Sequence, residues 1–107
     1  MSEIGLDEDA ETVRDVVDQF VETVRSYLET AVAAHGRGDD SALAQAAHKL
    51  AGTALTLGAA DLGQRAAKLE SDVQGGHRST VDVQIEALIA SVARVEAATR
   101  SIVAGLS

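Results

Sequence analysis

The segment SALAQAAHKLAGTALTL, residues 41–57, sets Leu43, Ala47, Leu50, Ala54 and Leu57 at three- and four-residue steps. That period defines one buried stripe on an α-helix running from about Ser41 to Leu57. His48 lies off the stripe. At about 100° per residue it points roughly 140° from the stripe's centre, beside Ala44, Ala51, Gly52 and Leu55, on the outer flank of the helix. A glycine inside a helix costs about 0.5–1 kcal/mol relative to alanine, so Gly52, one turn after the histidine, calls for a reason. Room beside the imidazole is the reason the sequence suggests.

Working outward, Val13, Val17, Phe20, Val24, Leu28 and Ala31 share a face of a preceding helix expected from about Asp7 to Ala34. Asp7, Glu8 and Asp9 stand where acidic groups complement the positive end of a helix dipole. The run from His35 to Asp40 contains two glycines and breaks that helix, with Asp40 or Ser41 available to cap the next. Gly58 stops the histidine-bearing helix where a left-handed residue is required. A third helix starts near Ala60, burying Leu62, Ala66, Leu69 and Val73, with Gly63, Ala67, Glu70 and Gln74 running beside that stripe. Small residues there allow the second and third helices to approach closely and bring Glu70 near His48. Gly75 to Arg78 form a turn, and Ser79 or Thr80 can cap a fourth helix marked by Val81, Ile85, Leu88, Val92, Val95 and Ile102. Short connections between such helices predict an all-α, antiparallel up-down four-helix bundle.

Composition agrees. A chain of 107 residues has room for one core, so residues 1–107 are expected to form a single domain, with 1–6 as an N-terminal segment. There is no proline, and abundant alanine favours uninterrupted helices. The formal net charge is −8 with scattered cations, which disfavours nucleic acid, and Phe20 and Tyr27 are too few to make a base-stacking platform. The absence of cysteine excludes disulfides and thiolate metal sites. The acidic N-terminus lacks the features of a signal peptide and no apolar run reaches membrane-spanning length, so a cytoplasmic location is expected. The start at Met1 and the short length favour a freestanding protein.

The residues His48, Leu50, Gly52, Gly58-Ala59, Leu62 and Leu69-Glu70 resemble the motif of the histidine-containing phosphotransfer (HPt) domains of two-component phosphorelays. That motif reads His-x-Leu-Lys-Gly, then Gly-Ala, then a leucine-rich helix ending Leu-Glu or Leu-Gln. The motif core covers Ala47 to Glu70, and the helical layout on either side is similar to the family's. One departure is plain: the family's lysine, three residues after the histidine, is Ala51 here.

The resemblance implies that Nε2 of His48 carries a phosphoryl group between receiver-domain aspartates, and that Glu70 bonds the other ring nitrogen. A neutral imidazole with a free nitrogen lone pair suits this work near pH 7. Gly52, Lys49 and Glu70 are the supporting residues. Lys49 is the nearby cation, but it projects about 100° further round the helix; it either reaches back to the site or is simply a solvated charge. Ala44, Ala51 and Leu55, with Gly63 and Ala67 on the next helix, are expected to form a shallow apolar docking patch. Leu55 is alternatively covered by the first helix or by the segment around Ile4 and Leu6. His35 and His77 read as solvated turn residues.

No metal or other cofactor is expected in the chain itself, because the three histidines occupy separate segments and no metal-binding or nucleotide-binding fingerprint occurs. The resemblance implies Mg2+ on the partner receiver. It implies as partners response-regulator receivers and a sensor histidine kinase, in a bacterial-type, cytoplasmic and monomeric phosphoryl carrier without kinase activity of its own. Two other readings stand beside it. A degenerate adaptor would bind a receiver or kinase without carrying phosphate, and a structural helical bundle would make the motif coincidental.

Overall fold

Four helices account for nearly all of the computed structural model, which describes the backbone of residues 2–105 and the side chains of residues 11–105. They are α1 (Ser2–Gly36), α2 (Asp40–Thr56), α3 (Ala60–Gln74) and α4 (Val81–Gly105). Among the described residues, α1 packs on α2 and α4, and α3 packs on α2 and α4, with no contact across either diagonal. With short links between successive helices, this is the up-down bundle the periodicity predicts.

The core follows the predicted stripes over the length where all four helices run together. Leu43, Leu50, Leu62, Leu69 and Leu88 are fully buried, joined by Val24, Ala31, Ala34, Ala47, Ala54, Ala66, Val81 and Val92. Helix α2 is buried over a wider arc than a single stripe requires. Ala46 on one flank and Ala44 and Ala51 on the other are also buried, because α2 sits in a corner between α1 and α3. Alanine on both flanks permits that close approach.

The stripes fail at one end. Val13, Leu57 and Ile102, all expected to be buried, are 40%, 52% and 58% exposed. The helices are unequal: α1 has 35 residues and α4 has 25, against 17 for α2 and 15 for α3. At 1.5 Å per residue, α1 outruns α2 by about 27 Å. Beyond the link between α2 and α3 the bundle therefore continues as α1 and α4 alone, whose inward stripes no longer have α2 and α3 opposite them. The molecule is accordingly elongated, 58 × 19 × 18 Å.

Boundaries differ in detail. Helix α1 continues through His35 and Gly36 instead of breaking before His35. Asp39, not Asp40 or Ser41, caps α2, its Oδ1 accepting from the Ala42 amide at 3.1 Å. Gly58 has φ +83°, the left-handed conformation expected after α2. Helix α4 begins directly after Thr80.

Polar clamps fix α3 against α4. Ser91, buried within α4, donates from Oγ to Asp61 Oδ2 at 2.9 Å. Asp61 also accepts from Arg65 and Arg94. Bonds from Arg65 and then Ser91 hold the Asp61 carboxyl below the usual carboxylate range. At the other end of α3, Asp72 accepts from Gln84 at 2.6 Å and from Lys68 at 3.1 Å, and these bonds, Gln84's first, lower its pKa likewise. The two clamps bracket Glu70.

Candidate functional site

His48 projects from the middle of α2 with 74% of its side chain exposed. Its Nδ1 lies 3.1 Å from each Glu70 carboxylate oxygen. Glu70 comes from α3 and is only 21% exposed, so the carboxylate is the fixed member of the pair and the imidazole is oriented on it. An ionised carboxylate can only accept, so this bond requires the proton on Nδ1. Nε2 of the neutral ring is then left with its lone pair, facing outward.

Three residues of the predicted patch lie deeper than the sequence suggests. Ala44 and Ala51 are each 6% exposed, and Gly63 is buried. They form the seam between α2 and α3. The outer surface there consists instead of Gly52, Leu55 and Ala67, all exposed. Leu55 is 52% exposed and lies across α3 at Gly63, where an added Cβ would come within 2.6 Å of its Cγ and Cδ2. The described side chains of α1 leave Leu55 half exposed; Ile4 and Leu6, the other candidate cover, lie outside the residues whose side chains are described.

Gly52 differs from Gly63. A Cβ placed on Gly52 would meet nothing within 4 Å, so no neighbour within the chain requires a glycine there. The room beside the imidazole is open to solvent, not filled by the fold. His48 separates two shallow depressions. One, toward α3, also includes Gln45, Glu70 and Gln74; the other, toward α1, includes Tyr27, Gly52 and Thr53. Lys49 lines both. The placement of Gln45 beside His48, and of Thr53 one turn from Lys49, follows from their positions on α2, whereas Tyr27 joins through the α1–α2 packing, which periodicity alone does not reveal.

The other histidines stand apart from this surface. His35 is not a solvated turn residue: its Nε2 meets Asp82 Oδ1 at 2.5 Å, tying the last turn of α1 to the first turn of α4. His77 lies in the exposed turn between α3 and α4, with its ring near Gly75. Among the described residues, no three histidine or carboxylate groups gather as metal ligands, and no helix is long and apolar enough to cross a membrane.

Residues 15–98 match the model of the Hpt domain family. The chain belongs to the Hpt family. The match takes in all of α2 and α3, and with them His48, Gly52 and Glu70. Hpt domains have a phosphotransfer role in two-component signalling, where they work with receiver domains and kinases. No curated protein and no solved structure matches this Hpt chain. The ends of α1 and α4 that run past the match belong to the two-helix extension.

Proposed function

We propose that this Hpt domain is a phosphorelay intermediate, accepting a phosphoryl group on His48 from a receiver aspartate or a kinase and passing it to another receiver. The observation that carries this reading is the His48–Glu70 pair: with Glu70 accepting from Nδ1–H, the neutral ring keeps its lone pair on Nε2. In the forward step the Nε2 lone pair attacks the phosphorus of a receiver's aspartyl phosphate. The N–P bond forms as the P–O bond to the aspartate breaks, and the aspartate leaves as a carboxylate. The Nδ1 proton stays in place. The phosphorylated ring becomes cationic, and Glu70 offsets that charge from 3.1 Å. Transfer to the next receiver is the same step reversed.

The bundle's part is to hold the ring in one orientation on a rigid helix, since phosphoryl transfer depends mainly on positioning and electrostatics. Gly52 and Ala67 leave the approach low, and Leu55 offers the receiver an apolar contact. Such a small surface suits a transient complex. Mg2+ is supplied by the receiver, and the chain works as a cytoplasmic monomer.

A second reading rests on Ala51: without the family's lysine at that position, the chain could be an adaptor that binds receivers without carrying phosphate. Incubation with a panel of phosphorylated receivers and Mg2+, followed by intact mass, separates the two. The relay reading predicts an acid-labile gain of one phosphoryl group that disappears in His48→Gln. Binding without any gain would favour the adaptor, and absence of binding would leave only a structural bundle.

A further inference from the structure

We infer that Lys49 is the phosphoryl-binding cation of this site, taking the place left empty by Ala51; the inference rests on the phosphorelay reading above. Two independent observations carry it. The first concerns pairing. Seven of the nine lysines and arginines lie within 4.0 Å of a carboxylate. Arg14 is engaged as well. Lys49 has no ion-pair partner among the described residues, in a chain where 17 acidic residues compete for nine cations.

The second concerns what surrounds it. From Ser41 to Leu57, Lys49 is the only residue with a formal charge. The positions one turn away, Gln45, Ala46, Gly52 and Thr53, carry no carboxylate with which a lysine could pair along the helix. From Ser41 to Leu57 the exposed face of α2 thus carries a single formal charge, a positive one, and it adjoins His48 on a protein of net charge −8. Among the described residues lining the two depressions, which include the carboxylates of Asp40 and Glu70, Lys49 is the one permanent cation available to a dianionic phosphoryl group.

Geometry makes the charge usable. Relative to His48, Gly52 lies about 40° and Lys49 about 100° round the helix, so the bare surface of Gly52 falls between imidazole and ammonium. Nothing within the chain would touch a Cβ there, and both side chains line both depressions flanking the site. A lysine is a compact point charge on a flexible four-carbon stem. With no ion pair to break, it is free to turn toward a phosphoryl group on Nε2 and bind its equatorial oxygens. A lysine at position 51 would start from the buried α2–α3 seam, whereas Lys49 starts from an exposed position on α2.

Single-turnover transfer from a phosphorylated receiver, measured at several receiver concentrations, tests this. In Lys49→Ala the rate constant at saturating receiver is expected to fall about 10-fold, less than the 100- to 1,000-fold typical of a buried oxyanion donor because this site is open. Lys49→Arg keeps the charge and should restore most of the rate, while Lys49→Glu should lose more than Lys49→Ala. Added salt should slow the parent more than Lys49→Ala. Thermal stability should be the same in all four proteins, as Lys49 is exposed and makes no ion pair among the described residues. An unchanged saturating rate in Lys49→Ala, or a loss confined to subsaturating receiver, would overturn the inference while leaving His48 as carrier. Failure of the parent itself to become phosphorylated would overturn both.

Discussion

Replacing Gly52 by alanine should make the protein more stable and a poorer phosphoryl carrier. The position is exposed, lies in the interior of α2, and has nothing within 4 Å of an added Cβ. The methyl group therefore meets no clash, and the helix gains the usual advantage of alanine over glycine, about 0.5–1 kcal/mol. For a domain of this size that raises Tm by about 2–8 °C. The same methyl stands in the space a receiver must enter to reach Nε2. Crowding a close-fitting surface costs about 1 kcal/mol or more, or about fivefold in transfer, and Gly52→Gln should lose considerably more. Thermal melts and single-turnover transfer on the same preparations check both halves. A lowered Tm would contradict the open geometry, and unchanged transfer with a raised Tm would show that the receiver does not approach over Gly52.

Other expectations follow from the same contacts. Glu70→Gln retains a carbonyl acceptor for Nδ1–H and should keep a measurable part of the transfer rate, whereas Glu70→Ala frees the ring and should lose more; long-range 1H–15N spectra should show Nδ1–H dominant in the parent and a mixture of tautomers in Glu70→Ala. Leu55→Glu should weaken receiver binding in titrations with little change in Tm, because Leu55 is 52% exposed. Leu69→Ala removes a fully buried side chain and should cost about 2–5 kcal/mol in denaturant unfolding. The lowered pKa values of Asp61 and Asp72 mean that the folded state binds fewer protons than the unfolded chain below the ordinary carboxylate range. Their stabilisation is present above that range and is lost as pH falls below it through the lowered pKa values of the folded state; unfolding midpoints of the double variant Asp61→Asn, Asp72→Asn should accordingly be less sensitive to acid than the parent's.

Periodicity made the bundle legible because it records which side of a helix is apolar. It does not record whether a neighbour is present at that height. Leu50 and Leu69 are predicted and found in the core, while Val13, Leu57 and Ile102 continue the same pattern past the point where α2 and α3 end. The site was legible for a related reason. His48, Gly52 and Glu70 are placed by helical geometry, and the small residues of the seam permit the 3.1 Å contact between helices. Helical angles place Ala44 and Ala51 beside His48, but they do not give the width of the seam that buries both. His35 joins Asp82 across 47 positions in the chain, a contact no local pattern encodes.

The measurement that tests the central claim most directly is the site of phosphorylation, read by 31P and long-range 1H–15N spectra of the chain after incubation with a phosphorylated receiver. The account predicts phosphorus on Nε2 of His48 with the proton retained on Nδ1 beside Glu70. Phosphorus on Nδ1, on His35 or His77, or on no histidine at all would contradict it.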